Sequence, residues 1–262
     1  MERFVHVSTH IEKTAGTSLQ EFYTRYYGTR NVYIYSSDTD SLISADRLLM
    51  KARINPIADK VRLLSKQLGL TSLAHAFVIG RLNNQNSGKG LSGLPANCSL
   101  IHGHFVADRF DNIVQKPFRT VVLRDPLERM ISHYKYWKEV QGVTNHRIDI
   151  PFDCHMSFDD FQSVKCLQNF QSSAFGSLNI NDFDLVGVTQ NLPDFVDKFV
   201  KRCPIQGRKA TEVLRKLNSS PRKTDYDQFG IDDKFIRKFK RQNELDYINY
   251  NHALELNGFS AH

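Results

Sequence analysis

Lys13, Gly16 and the hydroxyl residues Thr14, Thr17 and Ser18 stand together in the stretch VSTHIEKTAGTSLQEF, between an apolar run and a helix-forming run. A strand that ends in a compact turn and opens a helix presents several backbone N–H groups, and the positive end of the helix dipole adds to them. That arrangement suits a bound phosphate. Gly16 lets the backbone come close, the hydroxyls add donors, and Lys13 places a point charge over the anion. The alternative is an ordinary hydroxyl-capped turn between strand and helix. The ATPase loop GxxxxGK[ST] occurs nowhere in the chain, and its lysine follows the glycine. Here the lysine comes first, which suits a charge reaching a group beyond a terminal phosphate.

A second constellation lies in FRTVVLRDPLERMISHYKY, residues 118–136. Arg124 leaves the end of a β-branched run, Asp125-Pro126 starts a helix, and Ser132 follows two turns later, so an arginine and a hydroxyl converge on a second anion. His102 and His104 close another apolar run. A spacing of two puts both on one side of an extended strand. With an ordinary pKa near ~6.5, an imidazole accepts a proton at neutral pH. The other reading of each is a hydrogen-bonded structural histidine.

The elements that must position these groups alternate between short β-rich runs and helical stretches, which argues for an α/β fold with a mainly parallel sheet. Strands are expected over 4–8, 32–35, 99–102, 118–123 and 184–188, and helices over 17–27, 127–139 and 192–202. A final helix over 232–257 carries Phe235, Phe239, Leu245, Ile248 and Leu254. In open sheets of this kind ligands bind beyond the carboxyl ends of the strands, where both loops fall. Residues 41–76 read as one or two amphipathic helices and lead into a loose Gly/Asn/Ser loop. Together they form an insertion over about 37–97 in a single domain spanning 1–262. Residues 142–157 read as irregular.

At 262 residues with 40% hydrophobic and 24% charged residues, the chain is an ordinary globular protein. No stretch approaches the ~18 apolar residues of a membrane span. The chain reads as cytoplasmic, or as a soluble domain cut free from an anchor. Four scattered cysteines without CxxC spacing argue against a disulfide framework, and Cys154-His155 lacks a second pair to make a metal site. The net charge of +7 favours anionic partners. The basic residues gather in 201–241, where a solvated face is as good a reading as a binding patch. No feature specifies an oligomeric state.

HIEKTAGTSL together with VVLRDPLERMISHYKY resembles the two cofactor loops of PAPS-dependent sulfotransferases, in particular the carbohydrate branch of the heparan sulfate and uronyl 2-O-sulfotransferases. IHGHF (101–105) is similar to that branch's His-Gly-His segment, and DLVGVTQNLPDF (184–195) to its late strand–helix unit. The resemblance covers most of 1–35 and 99–255. It implies a three-layer, P-loop-like sulfotransferase fold. It also implies 3′-phosphoadenosine 5′-phosphosulfate (PAPS) as sulfate donor, 3′,5′-bisphosphoadenosine (PAP) as product, and no metal. The implied acceptor is a saccharide, glycolipid or other hydroxyl compound, with no nucleic-acid partner. Lys13, Thr14, Ala15, Gly16, Thr17 and Ser18 would hold the 5′-phosphosulfate, and Arg124 and Ser132 the 3′-phosphate. His104 would be the base, with His102 beside it. Gln168 and Asn169 are weaker nucleotide contacts; Arg129 and His133 read equally well as packing or solvent-facing, and Tyr134 and Trp137 as core. Glu12 departs from the family's proline, and the insertion has no counterpart. A P-loop-like nucleotide kinase and a non-catalytic anion- or glycan-binding module are the competing readings.

Overall fold

The computed structural model describes residues 4–37, 39–50, 93–139, 155–203 and 226–260. Most of the expected insertion, most of the segment 142–157, Cys154 and the basic stretch 204–225 lie outside these residues. Six strands pair into one sheet: β1 (Val5–Thr9), β2 (Val32–Ser36), β3 (Ser41–Ser44), β4 (Leu100–Gly103), β5 (Pro117–Leu123) and β6 (Leu185–Val188), in the order β3–β2–β4–β1–β5–β6. All neighbours run parallel except β2 and β3. The helices are α1 (Gly16–Tyr27), α2 (Pro126–Glu139), α3 (Phe158–Ser163), α4 (Phe170–Ser173), α5 (Leu192–Arg202), α6 (Asp233–Gln242) and α7 (Glu244–Leu256).

The alternation of side chains along the strands sorts the core into two layers. On one face, Val122 of β5 and Leu185 of β6 meet Leu19, Phe22, Tyr23 and Tyr26 of α1 and Phe195, Val196 and Phe199 of α5. On the other, Val121, Leu123, Val186 and Val188 meet Tyr250, Ala253 and Leu254 of α7. The result is helices on both faces of a mainly parallel sheet, as the alternation in the sequence implies. β1 is central. From it the chain passes through α1 to β2 on one side, and from its neighbour β5 the chain passes on to β6 on the other. The crevice at the carboxyl ends of β1 and β5 is therefore a topological switch point.

Two expectations are corrected. Residues 41–44 are not helical but form β3, an antiparallel hairpin partner of β2 with Ile34 opposite Ile43. The turn is held by Tyr35 Oη donating to Asp40 Oδ1 (2.9 Å) and by an Arg109–Asp40 ion pair. Helical structure starts only at 45 and runs to 50, where that described stretch ends. The single helix over 232–257 is instead two, broken at Asn243. Buried Asn243 donates from Nδ2 to the Phe239 carbonyl (3.0 Å) and accepts the Asn169 N–H at Oδ1 (3.1 Å). A side chain occupied by backbone groups in this way competes with continued helix. The break turns Leu245 and Ile248 to the surface, while Phe239 and Leu254 stay buried.

Gly187 of β6 tests the packing of the first layer. A Cβ there would meet the Phe195 ring at 2.4 Å, and Phe195 is fully buried. Gly187→Ala is expected to destabilise the chain by about 1–3 kcal/mol, measured by urea unfolding; an unchanged midpoint would contradict this packing.

Candidate functional site

Between β1 and α1 the backbone makes an uncommon turn. Lys13 and Ala15 both have φ of +69°, the left-handed region that costs a residue with a Cβ about 1–2 kcal/mol. Between these two left-handed residues the Thr14 N–H turns back to the Ile11 carbonyl (3.4 Å), so a row of backbone donors for an anion starts only after it. Thr14 is buried, and its Oγ1 donates to the Ile11 carbonyl (2.9 Å). Its hydroxyl therefore closes the turn instead of adding a donor. The first helical bond runs from Leu19 N–H to the Ala15 carbonyl (3.0 Å). The N–H groups of Gly16, Thr17 and Ser18 thus precede any intrahelical acceptor. A Cβ on Gly16 would lie 1.6 Å from His10 Nε2, so glycine is required there to seat the His10 imidazole against the loop.

The second loop is held by its backbone. Arg124 N–H donates to Gln171 Oε1 (3.0 Å) and its carbonyl accepts from Gln171 Nε2 (2.8 Å). Gln171, fully buried on α4, thus grips both backbone polar groups of one residue, which belong to successive peptide units. The guanidinium reaches back to the first loop, with Nη1 donating to the Lys13 carbonyl (3.4 Å) and Nη2 lying 3.4 Å from Glu128. Asp125 caps α2 by accepting the Glu128 N–H (2.9 Å). Ser132 is half-buried two turns into that helix.

The two predicted histidines differ in kind. His102 is buried, its Nδ1 lies 3.0 Å from Ser8 Oγ, and burial pushes its pKa down to about 4. His104 is half-buried, with Nδ1 2.9 Å from the His10 carbonyl. A carbonyl only accepts, so Nδ1 carries the proton, and in the neutral ring the lone pair sits on Nε2. His10 lies between them, its ring stacked 4.1 Å from His104 and 5.2 Å from His102. Gly103 makes this corner possible. Its φ is +153°, and a Cβ would press on the Tyr35 backbone at 3.1 Å.

Around this core, Lys13 Nζ lies 4.3 Å from the Tyr136 ring centroid. Arg129 and His133 are buried, not solvent-facing. Tyr134 and Trp137 are core residues, as expected. Gln168 donates to the Ser163 carbonyl, and Asn169 bridges Asn243, Gln242 and Asp246. Both amides are thus engaged in the scaffold. His10 and Gln171 are the site residues that pattern reading misses. The first stands inside the loop motif and the second two residues beyond Asn169. Among the described residues no group of His, Cys, Asp or Glu could hold a metal ion.

No protein-family model matches the chain, and no curated protein matches it significantly. Among solved structures it is similar to a crystal structure of retinol dehydratase in complex with androsterone and the inactive cofactor PAP, at 11% identity and a TM-score of 0.34. The match covers 96% of this chain and 66% of that one, so the chain spans just under two thirds of that protein's length. At that score the likeness decides neither fold nor activity.

Burial of His102 carries a pH signature. Its folded pKa of about 4 lies below the unfolded value of 6.5, so between these values the unfolded chain binds more protons. Its contribution is complete above pH ~6.5 and is lost as pH falls toward 4. His6, buried against Thr120, is lowered for the same reason, burial first. His102→Gln is expected to remove up to about 1.4 kcal/mol per pH unit from the slope of stability across that window. Chemical denaturation at stepped pH measures it. Parallel curves for variant and wild type would contradict the assignment.

Proposed function

We propose that this chain is a sulfotransferase that moves a sulfuryl group from PAPS to a hydroxyl of a saccharide or glycolipid-type acceptor, with His104 as general base. The observation that carries the reading is the convergence of the Lys13 and Arg124 loops at the carboxyl ends of the adjacent strands β1 and β5. They are joined by the Arg124–Lys13 contact and flanked by an imidazole whose Nδ1 is committed to a carbonyl. A kinase-type loop would place its lysine after the glycine, and here it precedes Gly16 in a turn with two left-handed residues. The residues fit a donor with two separate phosphates. The amides from Ala15 to Ser18 and Lys13 would hold the 5′ group, while Arg124 and Ser132 would hold the 3′-phosphate.

PAPS, when bound, supplies the sulfuryl group and leaves as PAP. By analogy with phosphoryl transfer through a loose transition state, what the protein contributes is position and charge. Lys13 and the loop amides stabilise the negative charge that grows at the 5′-phosphate side. His104 Nε2 takes the proton of the acceptor hydroxyl, while the His10 carbonyl holds Nδ1–H and fixes the ring. His102, buried and held neutral, supports the strand end from beneath the His10 ring. The non-catalytic binding module gains nothing from a tautomer fixed in this way.

Calorimetry tests the donor. PAP should bind without added magnesium and ATP much more weakly, with Arg124→Ala losing most of the PAP affinity; a magnesium-dependent preference for ATP would sink the assignment. Turnover with labelled PAPS over a panel of glycans, glycolipids and simple alcohols tests the chemistry. Lys13→Ala and His104→Ala should each lower it by roughly 10²–10⁴-fold. Near-normal transfer by His104→Ala would move the base elsewhere.

A further inference from the structure

Lys13 holds a conformation that glycine adopts more easily, and such strain persists only where the surroundings over-determine it. Two of its restraints are already described: Arg124 Nη1 on its carbonyl and the Tyr136 ring under its ammonium. The third comes from the preceding residue. Glu12 turns its carboxylate inward and is only 14% exposed, with Oε2 3.1 Å from Nε2 of the fully buried His133 on α2. One turn earlier on the same helix Arg129 is also buried, its guanidinium 4.7 Å from the Phe170 ring centroid. Among the described residues its Nε and Nη1 have no hydrogen-bond partner. Glu12 and Asp246 are the carboxylates whose charges act on it. A buried guanidinium is costly without counter-charge, so Glu12 serves Arg129 as well as touching His133.

We propose that Glu12 is a positioning residue. Its mostly buried carboxylate, set against His133 of α2 and acting by its charge on Arg129, anchors the entry to the first loop and thereby sets the direction of the Lys13 ammonium and of the amides that follow. In the family that the loops resemble, this position is proline, whose ring restrains the backbone covalently. Here a side chain tied to the second-loop helix supplies the restraint, and it makes the two loops one mechanical unit. Glu12 acts through Lys13 and touches neither donor nor acceptor. The inference rests on the sulfuryl-transfer reading only for the identity of the anion.

A double-mutant cycle on the full chain separates this role from general support of the fold. Glu12→Gln should weaken PAP binding and lower kcat about 10-fold when Lys13 is present, and less than about 2-fold in a Lys13→Ala background, since neighbouring residues that act through one another are non-additive. His133→Gln, approached from the other side of the contact, should show the same dependence on Lys13 and serves if Glu12→Gln does not fold. Equal losses in both backgrounds, or wild-type binding and kcat in Glu12→Gln, would overturn the proposal. Inorganic phosphate, titrated against the loop amides by NMR, keeps the two claims apart. A wild-type chain that ignores PAP but responds to phosphate, with the response weakened by Glu12→Gln only when Lys13 is present, would refute the donor and uphold the role of Glu12. A phosphate response independent of Glu12 would refute that role.

Discussion

Two residues that carry side chains, Lys13 and Ala15, adopt left-handed backbone conformations between β1 and α1. Much of the surrounding structure exists to hold them there. At about 1–2 kcal/mol each, the turn would relax to an ordinary one if it stood alone. It does not, because both its ends are fixed. β1 lies at the centre of the sheet between β4 and β5. α1 is sewn into the core by Leu19, Phe22, Tyr23 and Tyr26. The strain is maintained at the fold's own expense at the amino end of a helix, beside a lysine, where the proposed function puts an anion.

The second loop is bound into the same arrangement by polar contacts and by the charges gathered around buried Arg129. Glu12 meets His133, and its charge acts on Arg129. Asp246 attracts Arg129 and accepts the N–H groups of Gln171 and Ser172 at 3.1 and 2.7 Å. Gln171 grips Arg124, and Arg124 returns to the Lys13 carbonyl. Buried polar groups linked in this way are costly to break one at a time. This gives the spacing between the two loops a physical origin. It is set by a network anchored on α2, α4 and α7 and does not depend on loop residues alone.

The parts of this account that were legible in the sequence are those governed by local pattern. The strand at 118–123 announces itself by β-branched residues and is observed as Pro117–Leu123; the helix at 192–202 is observed at those bounds. What was illegible depends on partners far along the chain. The break at Asn243 answers to Asn169, and the role of Gln171 answers to Arg124, 47 residues away. The strand at 41–44 needs β2 beside it before its apolar pair Leu42-Ile43 ceases to look helical. For the histidines, spacing set both at one strand end. It could not say that one would be buried against Ser8 while the other would spend its Nδ1–H on the His10 carbonyl. Glu12 reads in the sequence only as a departure from the family's proline, because its buried contact is with His133, far along the chain.

The central claim is that one anion sits on the amides between Ala15 and Ser18 while a second meets Arg124 and Ser132. A crystal structure of the chain with PAP tests it most directly. The account predicts the 5′-phosphate on the first loop, the 3′-phosphate on the second, and His104 Nε2 facing the open side of the 5′ group. PAP bound elsewhere, or lying across the site with Arg124 and Ser132 untouched, would contradict it.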